Sequence, residues 1–174
     1  MEDTIKETVS NFYNKILPFQ KEKYVNGLLL GNVQSGKTSQ MFGIISAMAD
    51  WGYNFFILLT TDNVYLQQQT KERVEKSFNN FLILDEQEEI GLLNHKFDKP
   101  VVIILKKNSR ILKKWYNILS GNTNCKNIPF VFFDDEADAA SLNTKVNSGI
   151  FSSINKHLND IKAIASKSIY IQVT

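Results

Sequence analysis

Gly31-Asn32-Val33-Gln34-Ser35-Gly36-Lys37-Thr38 fits G-x-x-x-x-G-K-[ST], a spacing suited to holding phosphate. Gly31 and Gly36 lack Cβ atoms, so the backbone through Gln34 and Ser35 can curl with its N–H groups inward. Those groups and the positive end of a helix starting near Lys37 make an anion site. Lys37 would reach the β- and γ-phosphates, and the Thr38 hydroxyl would ligate Mg²⁺. Far along the chain, Phe130-Val131-Phe132-Phe133 runs into Asp134-Asp135-Glu136. A carboxylate at the end of a buried strand, Asp135, can hold the same ion, and Glu136 beside it can orient or deprotonate a water. ATP and Mg²⁺ are the expected cofactors, with Glu136 and Lys37 as the catalytic pair.

These residues need a scaffold, and the rest of the sequence supplies one. The apolar run Val25–Leu30 reads as a strand feeding the loop, and Met41, Ile44, Ile45 and Met48 recur at helical spacing after it. Further apolar strands are expected at 54–60, 81–84, 101–105, 130–133 and 168–174. Helices are expected between them: 4–17 (ended by Pro18), a polar one to Phe78, 86–93, 109–119 and 151–165. Crossovers of that length need helices, so the sheet is mainly parallel. The fold class is α/β, a three-layer P-loop domain. Residues 1–22 form a helical prefix and 23–174 the ATP-binding lobe. Ligands in such sheets sit at the C-terminal strand ends. The P-loop, the Thr60-Thr61 turn, Lys106 and Lys107, the acidic cluster and Thr174 all fall there.

Composition narrows the class. At 174 residues and 43% hydrophobic, the chain is one globular domain. A single cysteine, Cys125, read as lying in a polar loop, excludes an internal disulfide framework and has no partner cysteine for zinc. It suggests a reducing, cytoplasmic compartment. No apolar run reaches the length of a membrane span. His95 and His157 are isolated, and Gln20 reads as solvated rather than as an adenine contact.

Asp135-Glu136-Ala137-Asp138 spells the DEAD signature and so resembles the superfamily-two helicase-like ATPases. Thr60-Thr61-Asp62 with Gln69 looks like a divergent form of their motif Ia, which follows single-stranded nucleic acid. Thr174 resembles the first residue of their Thr-Ala-Thr motif. The stretches Gly27–Thr38 and Asp134–Thr144 are similar to the Z-one domain, a family described as candidate endonucleases in bacterial restriction or phage-defence systems. The resemblance implies a RecA-like first lobe of a DNA-dependent ATPase. It also implies a second RecA-like lobe beyond residue 174 with an arginine finger, slow turnover by this lobe alone, and nuclease or other defence subunits as partners.

For DNA, single-stranded or duplex, the candidate contacts are Thr61, Gln69, Arg73, Lys106 and Lys107. Lys106, Lys107, Arg110, Lys113 and Lys114 cluster within nine residues. On a helix such charges either form a solvated face or meet phosphates. Two other functions fit a P-loop, namely a small-molecule kinase and a nucleotide-sensing module without turnover. No arginine-rich lid segment favours the kinase.

Overall fold

Phe55–Thr60 (β2) is buried at every position, as a strand covered on both faces must be. The computed structural model describes residues 2–31, 36–135 and 148–174. It sets β2 inside a six-stranded sheet with Tyr24–Leu29 (β1), Leu82–Asp85 (β3), Val101–Lys106 (β4), Phe130–Asp135 (β5) and Ser168–Val173 (β6). The order is β1-β6-β5-β2-β4-β3, and every neighbouring pair is parallel. The helices are α1 (Glu2–Ile16), α2 (Lys37–Asp50), α3 (Val64–Ser77), α4 (Glu89–Leu93), α5 (Ser109–Gly121) and α6 (Ser148–Ile164).

Strand side chains alternate between faces, which divides the core in two. Phe56, Leu58, Val102, Ile104, Val131 and Phe133 pack with Met41, Ile44, Ile45 and Met48 of α2, and with Val74 of α3. Phe55, Ile57, Leu59, Ile103, Phe130 and Phe132 pack on the opposite face with Leu112, Trp115 and Leu119 of α5, and with Leu158 and Ile161 of α6. The result is a three-layer, RecA-like α/β domain. Helix α1 joins the α2 layer through Val9, Phe12 and Ile16. A Cβ on Gly43 would lie 2.4 Å from Ile5 Cγ2, so the small residue permits this close helix approach.

Two local expectations change. A helix over 86–93 shortens to Glu89–Leu93, because residues 85–88 use their side chains to make a turn. Asp85 Oδ1 accepts from Gln87 N (2.9 Å), and Glu88 Oε2 accepts from Asp85 N (2.9 Å). Glu86 turns inward, where Gln67 Nε2 donates to it (2.8 Å) and Lys106 pairs with it (3.2 Å). Cys125 is fully buried in a 3-10 turn, Thr123–Asn127, rather than sitting in an open polar loop. Burial pushes its thiol up to about 12, so it behaves as a small apolar residue.

Helices α3 and α5 start by the same device. Asn63 Oδ1 accepts from Tyr65 N and Leu66 N, and Asn108 Oδ1 from Arg110 N and Ile111 N. Asn108 Nδ2 also donates to Asp62 (2.9 Å), tying the two turns together. Asn108→Ala is expected to lower unfolding free energy by about 1–2 kcal/mol, measured by urea titration.

Candidate nucleotide and metal site

The parallel register brings three strand ends level. Leu29 of β1 pairs with Val173 of β6, and Val173 pairs with Asp135 of β5. Thr174 continues the row by donating its N–H to Leu29 O (3.1 Å), while Gly31 N donates to Thr174 O (3.0 Å). The exit of β1 is therefore anchored to β6, and the Asp135 strand end lies two strands away, roughly 10 Å. Gly36 has φ 72° and ψ 32°, the left-handed conformation, and forms the N-cap of α2. Among the described residues a Cβ there would meet nothing within 4 Å, and the positive φ itself calls for glycine. Lys37 and Thr38 open α2, with no acidic residue in its first turn. Gln34, Ser35 and Glu136 lie outside the described residues.

Strand alternation separates the two aspartates. Val131 and Phe133 belong to the core layer beneath α2, and Asp135 continues their side of β5. It lines a small cavity of about 90 Å³ with Thr60, Thr61, Gln69 and Arg73. The first turn of α2, with Thr38, starts on this same side of the sheet. A hydroxyl and a carboxylate are hard oxygen donors, the set that suits Mg²⁺.

Asp134 continues the opposite side and is 9% exposed. Lys107 Nζ donates to its Oδ1 (2.7 Å), and the Tyr170 hydroxyl donates to its Oδ2. Lys162 Nζ stands 3.5 Å above the Tyr170 ring. Burial pushes the Lys162 ammonium down to about 8 against the pull of Asp134. Burial, with Asp134, pushes the Tyr170 phenol up, so it stays a donor. The sequence pattern assigns no role to Asp134, Tyr170 or Lys162 at this site. The available signal was the doubled aspartate, because neighbours on a strand must face opposite ways.

The residues considered for DNA divide into two groups. Thr61, Gln69 and Arg73 share the Asp135 cavity, on the α3 side. Lys106 and Lys107 sit at the same sheet edge, but their ammonium groups engage carboxylates: Lys106 with Glu86 (3.2 Å) and Asp62 (3.9 Å), Lys107 with Asp134. Each lysine side chain is only 12% exposed. Gln20 is exposed. A groove of about 860 Å³ runs along β1 beneath α1, lined by Phe12, Ile16, Val25, Leu29, Gln40 and Ile44 among others. It opens beside the exit of β1. Among the described residues no cluster of three or more His, Cys, Asp or Glu could hold a metal, and no helix is long and apolar enough to cross a membrane.

No family model and no curated protein matches the chain. Among solved structures, a nuclease-deletion mutant of the Type ISP restriction-modification enzyme LlaGI, in complex with a DNA substrate mimic, has a similar fold. The TM-score is 0.61, with 14% sequence identity over 98% of this chain. The chain spans 17% of that enzyme's length. At this identity the likeness is one of fold.

Proposed function

We propose that this chain is the ATP- and Mg²⁺-binding lobe of a helicase-like, DNA-dependent ATPase in a bacterial restriction or phage-defence system. The observation that carries the reading is the placement of Gly36, Lys37 and Thr38 at the start of α2 and of Asp135 at a level strand end on the same side of the sheet. A triphosphate cradled at residues 31–36 would meet Lys37 at its β- and γ-phosphates. Thr38 and Asp135 would hold the Mg²⁺, which neutralises charge developing on the phosphoryl oxygens. Glu136, next in sequence, would orient the attacking water. The groove along β1 offers room for the nucleoside at the near end of that phosphate site.

The cavity shared by Asp135 with Thr61, Gln69 and Arg73 supports α3 as the side from which DNA senses the metal site. A second RecA-like lobe following residue 174 would supply the arginine that completes the transition state, so this lobe alone binds ATP but turns it over slowly. The fold it shares with a restriction-modification enzyme bound to a DNA mimic supports DNA as the polymer. The test is phosphate release, with and without DNA, by the full-length protein that joins this lobe to the second. Stimulation by DNA, with ATP retained but not hydrolysed in Glu136→Gln, is the expected result. Binding without any release would favour a nucleotide-sensing module, and release stimulated by a small acceptor would favour a kinase.

A further inference from the structure

We propose that Asp134 is a positioning residue for the metal site: gripped by Lys107 and Tyr170 on the far side of β5, it fixes the direction in which Asp135 presents its carboxylate to Mg²⁺. This rests on the reading of Asp135 as a metal ligand. Two side chains from different elements grip the one carboxylate, and a third covers one of them. Lys107 comes from the turn after β4, and its Nζ reaches both Asp134 Oδ1 (2.7 Å) and the backbone carbonyl of Asp135 (3.4 Å). Tyr170 comes from β6, two residues along that strand from the partner of Asp134 in the register. Lys162 of α6 covers the Tyr170 ring.

A strand end is where pairing runs out and the chain is freest to twist. A carboxylate held by two donors at this point removes that freedom, and rotation of the Asp134 peptide would rotate Asp135 with it. Strand β6 extends the effect. It is tied to β5 through Tyr170 and to the exit of β1 through the hydrogen bonds of Thr174 with Leu29 and Gly31. The same clamp therefore keeps the carboxylate strand and the phosphate-loop strand in fixed relation. In this role Lys107 belongs to the metal site's support rather than to a DNA contact. Partners that orient a metal ligand commonly matter about 10–100-fold for metal affinity.

The experiment uses the full chain and a fluorescent ATP analogue, titrated with MgCl₂ and separately in EDTA. Asp134→Asn keeps shape and removes the charge that Lys107 holds. Tyr170→Phe removes one hydroxyl and is the milder variant. Asp134→Asn is expected to raise half-saturating Mg²⁺ about 10–100-fold, and Tyr170→Phe to shift it in the same direction by less. Affinity in EDTA should stay unchanged in both. Lys107→Ala should show the Mg²⁺ shift with unchanged DNA affinity, and Lys107→Arg should restore it. The proposal is overturned if Asp135→Asn loses Mg²⁺ dependence while Asp134→Asn and Tyr170→Phe keep it. It is overturned equally if affinities in EDTA and in Mg²⁺ fall together with thermal stability, which a merely structural clamp would give. Should Asp135→Asn itself leave Mg²⁺ dependence untouched, the metal-ligand reading fails and takes this role with it.

Discussion

Asp135→Asn is expected to abolish the Mg²⁺-dependent part of ATP binding and to cut turnover by roughly 10²-fold or more, with the fold intact. A metal ion that neutralises developing phosphoryl charge is worth several kcal/mol in the transition state, and each 1.36 kcal/mol is about tenfold in rate. Asparagine has the same shape as aspartate but carries no charge to hold the ion. The strand is held chiefly by its apolar residues. Residues Phe130–Phe133 are fully buried in the two core layers and Asp135 is the half-exposed last position of β5. Thermal stability should therefore hold while isothermal titration with ATP in MgCl₂ converges on the curve in EDTA. Alternation makes the experiment sharper. A role that depended only on negative charge at this strand end would make Asp134→Asn equivalent to Asp135→Asn. The structure predicts different outcomes: complete loss of the metal effect at Asp135, and a shifted but saturable one at Asp134, whose partners are Lys107 and Tyr170.

The sequence announced the scaffold because its signals are local. Phe55–Leu59 and Val101–Leu105 can be hidden only in a sheet covered on both faces, and the crossover lengths demand parallel strands. Their C-terminal ends then fall on one edge whatever the strand order. The order itself was not legible. That β6 lies between β1 and β5, with Thr174 bonded to Leu29 and Gly31, is set by pairing across residues distant in the chain. No local pattern encodes it.

Polar side chains that fold inward were also hidden. Gln67 belongs to a helix that is unusually polar in sequence, yet it is buried against Glu86 and Ile104 O. Lys106 and Lys107 read as a basic pair at a ligand edge, yet the turns after β2 and β3 and the end of β5 bring carboxylates to meet them. Charge in a sequence gives a sign, while its availability depends on neighbours supplied by tertiary structure. The shortened α4 has the same origin, since Asp85 and Glu88 bond the backbone of their own turn and compete with helix.

Lys37→Ala is expected to weaken ATP binding by roughly 10²-fold or more, and the loss should shrink stepwise for ADP and then AMP. Lys37 is the first residue of α2, directly after the left-handed Gly36, and it lies half-buried. From there its ammonium can reach the distal phosphates of a nucleotide cradled by the preceding loop. Hydrogen bonds to charged groups are worth about 1.5–3 kcal/mol each, and two of them convert to at least about 10² in affinity. The graded series is the decisive feature. General destabilisation of the loop would lower affinity for all three nucleotides alike, whereas an ammonium that meets the β- and γ-phosphates matters little to AMP. Lys37→Arg should not restore binding, because a planar fork cannot occupy a point-charge position at a helix start. Equal losses for ATP and AMP in Lys37→Ala would place the triphosphate elsewhere on the sheet edge and remove the basis for assigning Thr38 and Asp135 to its metal.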